Sequence, residues 1–124
     1  MYLKCFQAWC PGCHSSGFPT LRAVQDAYGD HPRVSLAAVQ TVFEGFGTNT
    51  RDKIPEIRER YGLSVPIGHD AGDPDGDRLP VTMRRYRTGG TPWLVLIDPA
   101  GQVVFDGFHA DPDTLIDWLG ERLG

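Results

Sequence analysis

Two of the chain's three cysteines, Cys10 and Cys13, stand in the stretch "AWCPGCHSSG", separated only by Pro11 and Gly12 and followed at once by His14. Thiols at this spacing can hold a metal, close a structural bridge or form a redox couple. With Cys5 they read C-x4-C-x2-C, a spacing found in iron–sulfur ligation that needs a fourth cysteine this chain lacks. A zinc site recruiting His14 would miss the paired ligand knuckles of structural zinc, and His31, His69 and His109 stand apart in loops or strand ends. No metal or other cofactor is expected. As a passive staple, a bridge closing over two residues restricts the unfolded chain very little.

Redox chemistry fits best. The thiolate is the reactive species, and the unsatisfied N–H groups at a helix N-terminus stabilise it. A strand that delivers Cys10 to the start of a helix would leave it exposed at the turn, with Cys13 one turn in and partly shielded. Cys10 would then attack a disulfide, and Cys13 would resolve the mixed disulfide. Cys5 falls mid-strand, where it reads as a small buried hydrophobe with no part in turnover.

The surrounding elements suit this placement. "YLKCFQAW", Tyr2–Trp9, reads as a buried strand. Leu21, Val24 and Tyr28 mark a helix that Gly29 stops; it begins at the CPGC turn and should bend at Pro19. A second strand is expected over Arg33–Val42. After the "EGFGTN" loop comes a helix capped by Asn49 or Thr50, carrying Ile54, Ile57 and Tyr61 and ending at Gly62. "LSVPIGHD" is a short strand candidate, Asp70–Asp77 a loop, and Pro80–Arg87 a short helix. Trp93–Ile97, "DPAG" and "QVVFDG" make a strand hairpin. Asp111 and Pro112 start a last helix with Leu115, Ile116, Leu119 and Leu123 on its buried face. A βαβ start with an antiparallel finish gives an α/β fold: a mixed central sheet flanked by helices on both faces.

The 124 residues amount to one domain, 1–124, and the 40% hydrophobic and 23% charged composition is that of a globular protein. A net charge of −4 with no basic stripe argues against nucleic acid as a partner, and no apolar run reaches the ~18 residues of a membrane span. No signal peptide opens the sequence, so a cytoplasmic location is expected, or a periplasmic one if an export segment precedes it. The acidic run "DPDGD" fails as a calcium loop, because Arg78 and Arg84 fall where the glycine and glutamate ligand belong. Arg84, Arg85 and Arg87 read as a solvated face balancing that loop.

"FQAWCPGC" resembles the strand end of the thioredoxin superfamily, and "GGTPWLVLIDPAGQVV" resembles its Thr-Pro, strand and hairpin segment. The likeness runs over about Tyr2–Leu123. The long segment between the second strand and second helix, an extended insertion in the middle of the chain, resembles the TlpA/ResA-type and DipZ-like, redoxin-like branch of thiol–disulfide oxidoreductases. The resemblance implies a thioredoxin fold, a cis Pro92 facing the cysteines, a free Thr91 backbone beside it and Trp9 flanking a substrate groove. It implies a cysteine-containing partner protein as substrate and an upstream thiol reductant, with the chain acting as a monomer; reduction of the partner is the favoured direction and oxidation the less favoured one, and the sequence leaves the direction open. Lys4 stands where thioredoxins carry a buried acid, and Ser16 or Gly17 where TlpA-like relatives often carry a glutamate, so the proton partner of Cys13 is open. Water or His14 could serve, although His14 reads first as a solvated surface residue. Lys4, Pro11, Gly12 and His14 are the expected modulators of the couple; Lys4 matters only if it points inward. The other functions weighed are a peroxiredoxin-type thiol peroxidase and a non-catalytic binding module. The first needs Pro-x-x-x-Thr/Ser-x-x-Cys, which neither Cys10 nor Cys13 completes. The intact CxxC and Thr-Pro argue against the second.

Overall fold

A computed structural model describes residues 1–123, so the last residue of the expected domain, Gly124, lies outside the described residues. The elements follow in the order β1 (Tyr2–Phe6), a π-helical turn (Cys13–Gly17), α1 (Phe18–Tyr28), β2 (Leu36–Val42), α2 (Lys53–Tyr61), β3 (Ile67–Ala71), α3 (Val81–Tyr86), β4 (Trp93–Ile97), β5 (Val103–Gly107) and α4 (Pro112–Leu123). The strands form one sheet in the order β3-β2-β1-β4-β5. β1 pairs parallel with β2, and β2 with β3; β4 runs antiparallel to both β1 and β5. This is the mixed sheet of a thioredoxin fold.

β1 lies at the centre because every one of its residues is buried, and a strand covered on both faces needs no polar alternation. Tyr2, Phe6, Ala38, Leu94 and Leu96 meet α1, α2 and α4 on one face. Leu3, Cys5 and Val95 meet Tyr86 of α3 on the other. Helices therefore flank both faces, with the thicker core under α1.

Several boundaries differ from the sequence reading. β1 stops at Phe6 rather than Trp9, because Gln7–Trp9 turn the chain, with the Cys10 N–H donating to the Gln7 carbonyl at 3.1 Å. β2 begins at Leu36 rather than Arg33. The bend expected at Pro19 takes the form of the π-turn just before it: the Phe18 N–H reaches back five residues to the Cys13 carbonyl. An inserted residue of this kind absorbs the ring and missing donor of a proline within a continuous helix. Neither Asn49 nor Thr50 caps α2, whose N-cap is Asp52. The expected ends at Gly62 and Asp111 do form: Gly62 adopts φ +63°, and the Asp111 carboxylate accepts the Thr114 N–H at 3.0 Å. The long connection 43–52 between β2 and α2 is where the expected insertion begins.

Candidate active site

The helix containing Cys13 starts at Pro11, directly after the turn that ends β1. The Cys13 N–H points back at Cys10, 3.1 Å from its carbonyl oxygen and 3.2 Å from its Sγ. The Cys10 sulfur is thus held against an N-terminal amide of the helix, the partial positive charge that stabilises a thiolate. Both sulfurs are thiols, as is Cys5.

The site is more enclosed than the spacing alone predicts. Cys10 is 7% exposed rather than open at the turn, and Cys13 is fully buried rather than partly shielded. The loop before β4 covers them. Its Thr91–Pro92 peptide bond is cis, and the Pro92 ring packs so tightly that a Cβ on Gly12 would come within 3.1 Å of its Cδ, and one on Gly17 within 3.3 Å of its Cβ. Gly12 and Gly17 are therefore contact surfaces for the proline. Gly17 was read from sequence only as a place where an acid was missing; its spacing carries no signal for this packing. Thr91 is half-buried, and neither its N–H nor its C=O is hydrogen-bonded among the described residues. Trp9 is 67% exposed, and a groove of about 280 Å³ opens beside it between His14 and the Lys53, Ile57 and Arg60 side chains of α2. Pro11 is exposed on the motif's outer side.

A buried polar cluster holds the turn in place. The Gln7 side chain is 2% exposed; its Oε1 accepts N–H bonds from Phe43 (3.2 Å) and Asn49 (3.4 Å), while its Nε2 donates to Thr91 Oγ1 at 3.5 Å. Asn49 Oδ1 accepts the Trp9 N–H at 2.8 Å, and Gln40 Oε1 accepts the Ala8 N–H at 2.9 Å. These residues bind β1, the CPGC turn and the cis-proline loop into one unit. The sequence reading missed Gln7 and Gln40, because a lone polar residue in a strand carries no local sign of which loop it will meet.

His14 is not a solvated surface residue. It is half-buried, and its Nε2 sits 2.6 Å from the Ala8 carbonyl oxygen. A carbonyl only accepts, so Nε2 carries the hydrogen, and Nδ1 accepts from the Tyr61 hydroxyl. Its ring also packs edge-on to Phe18. Both nitrogens are thus spent on joining the turn to α2. His109 does not stand alone either: its Nδ1 is 2.8 Å from Ser16 Oγ, which ties the β5–α4 loop to the active helix. Arg84 pairs with Asp77 of the acidic loop at 3.2 Å.

Lys4 points inward. It is 2% exposed, on the strand face between Tyr2 and Phe6 that carries both active cysteines. Burial pushes its ammonium down to about 8, against the pull of the Cys13, Cys5 and Cys10 sulfurs. Burial also pushes the Cys13 thiol up. A hydrogen bond to the Cys10 sulfur adds to this, and the Gln7 N–H and the Lys4 charge work against it. Cys5, on the opposite face, is pushed up to about 12 by burial, which leaves it an unreactive thiol. Among the described residues no three His, Cys, Asp or Glu side chains converge on one point, and no helix is long and apolar enough to cross a membrane.

The fold and this site define a class, and comparison with known proteins agrees with it. No protein-family model matches the sequence, and no curated protein does. Solved structures do. A thioredoxin-like superfamily protein, SPOA0173, is 30% identical over 98% of this chain and 77% of its own, with a TM-score of 0.79. A thiol–disulfide isomerase from Corynebacterium glutamicum is 29% identical over 97% of this chain and 77% of its own, with a TM-score of 0.85. A thio-disulfide isomerase from Thermus thermophilus is 25% identical over 95% of this chain and 75% of its own, with a TM-score of 0.66. The chain belongs to the thioredoxin-like superfamily. Within it, the chain is a thiol–disulfide oxidoreductase.

Proposed function

We propose that Cys10 and Cys13 are the redox couple, and that the protein reduces disulfides in partner proteins through a mixed disulfide on Cys10. The observation that carries this reading is the asymmetry of the two sulfurs. Cys10 Sγ accepts a helix N-terminal N–H at 3.2 Å and keeps a solvent-facing edge, whereas Cys13 has none. A disulfide approaching along that edge would lie against Trp9, with the unpaired Thr91 backbone groups available to a partner segment in extended conformation. Attack by Cys10 puts the partner's sulfur on Cys10. Cys13 then displaces it, forming the Cys10–Cys13 disulfide and releasing the reduced partner. An upstream dithiol restores the couple by the same exchange in reverse, and no other cofactor is required. The protein acts as a monomer in this scheme.

Turnover of insulin disulfides with dithiothreitol tests the assignment. Cys10→Ser should abolish reduction, and Cys13→Ser should accumulate a partner-linked mixed disulfide that a reducing gel releases. Full turnover by the Cys10→Ser protein would overturn the reading.

A further inference from the structure

Resolution requires Cys13 to lose a proton at a place where water does not reach, since the residue is fully buried. The nearby polar side chains are accounted for. His14 has both ring nitrogens engaged, and Gln7 and Asn49 are amides that do not titrate. Glu44, exposed in the loop after β2, is held by Gln7, its Oε1 accepting from Gln7 Nε2 at 3.5 Å, while the side chains turned to the core that holds the couple are Ala38 from β2, Leu94 and Leu96 from β4, and Leu115 and Leu119 from α4. Among the described residues, the titratable groups in that layer are Cys10, Cys13, Lys4, Tyr61 at its edge, and Tyr2, whose ring centroid lies 5.9 Å from Lys4 Nζ. Lys4 itself has no ion-pair partner among the described residues. A buried ammonium without a carboxylate is costly, and a fold tolerates one where another group answers it.

We propose that the Lys4 amine is the proton acceptor of Cys13 during resolution, so that the reactive form of the mixed disulfide holds a Cys13 thiolate beside a Lys4 ammonium. This deepens the function proposed above and rests on it. Once Cys10 is tied up in the mixed disulfide, it no longer offers Cys13 the hydrogen bond and negative charge that hold the Cys13 proton in place. The thiol proton passes to Nζ, and the Cys13 sulfur attacks the Cys10 sulfur. The Cys10–Cys13 bond forms, and the bond from Cys10 to the partner's sulfur breaks with its electron pair on the partner. The partner thiolate takes a proton from water. Two electrons leave the dithiol and reduce the partner's disulfide. When a dithiol reductant reopens the Cys10–Cys13 bond, the Lys4 ammonium returns the proton to Cys13. An amine with an ordinary value near 10.5 would stay protonated at neutral pH and accept nothing; held at about 8, it exchanges protons under working conditions.

The reaction of the dithiol protein with 5,5′-dithiobis(2-nitrobenzoate) separates the two steps, because attack by Cys10 releases the first thionitrobenzoate and resolution by Cys13 the second. In the parent the second rate should rise with pH, pass a midpoint near 8 and level off. In Lys4→Met the ratio of second to first rate should fall at least tenfold at pH 7.5, and the midpoint near 8 should vanish. An unchanged ratio and profile would overturn the role of Lys4. Absence of the first phase in the parent would overturn the Cys10 assignment beneath it. A second measurement needs no variant: the Lys4 side-chain carbon resonances of the dithiol protein should titrate near pH 8, and titration above pH 10 would overturn the proposal.

Discussion

At the scale of single residues, the site is a contrast between neighbours of the same type. Cys5, Cys10 and Cys13 are chemically identical, yet Cys5 is buried on one sheet face against Leu3 and Val95, Cys10 meets a helix amide, and Cys13 is sealed beneath it. Burial of Lys4 carries a stability consequence independent of catalysis. Between about pH 8 and 10.5 the unfolded amine is protonated while the folded one is neutral. The unfolded state then binds more protons, and this group's contribution to stability rises with pH. Below about 8 the folded protein bears the full cost, about 3 kcal/mol for a shift from 10.5 to about 8. Dithiol Lys4→Met should accordingly be more stable than the parent in urea at pH 7, by up to about 3 kcal/mol. The gain should shrink as pH climbs from 8 towards 10.5. Cys5 and Cys13, whose values burial raises, pull the other way at alkaline pH in both proteins, and losing the Lys4 charge raises them further. A gain that does not change with pH would contradict this account.

At the scale of elements, the active helix and the cis-proline loop meet with no room to spare. Gly17 sits on the π-turn, and a Cβ there would lie 3.3 Å from Pro92 Cβ and 3.8 Å from Cys13 Cβ. A β-branched side chain would have to push the loop off the helix. Gly17→Val should cost about 1–3 kcal/mol by overpacking, more than the ~1 kcal/mol or less that removing a helix glycine returns. It should also lower the rate of disulfide reduction, because the displaced part is the wall of the sulfur site. Thermal unfolding and the insulin assay read the two effects; a more stable, fully active variant would show that the contact is slack. The same tightness explains why the Pro19 bend appears as a π-turn: the extra residue lets Phe18 and Leu21 reach the core while Gly17 stays against Pro92.

At the scale of the whole molecule, one sheet carries the couple just beyond the end of its central strand, and the larger core runs without interruption from Leu36 through Phe6 and Leu94 to Leu115. The chain should therefore unfold in one step, as expected of a single domain, with the near-UV signal of its three tryptophans and the far-UV helix signal sharing a midpoint. Leu94→Ala, at a position fully shielded from solvent, should shift both midpoints together by about 2–5 kcal/mol in unfolding free energy. Separate transitions would mean that the sheet and its helices form more than one cooperative unit.

What could be read from the chain alone was the local chemistry and its frame. The CPGC pair after a buried strand, the Thr-Pro before an apolar strand, the hairpin and the helix ends at Gly62 and Asp111 all depend on near neighbours, and the cis Pro92 followed from resemblance at those same residues. Tertiary structure decided everything that depends on which distant groups meet. Cys10 was expected to be open and lies mostly covered, because a loop some eighty residues later folds over it. His14 was expected in solvent and is held by Tyr61 of α2. Lys4 had no direction until its strand took the central place in the sheet, where both faces are covered and even a charged side chain must turn inward. Periodicity reports which residues share a face; only the packed chain determines what that face is pressed against, and with it where a proton can go.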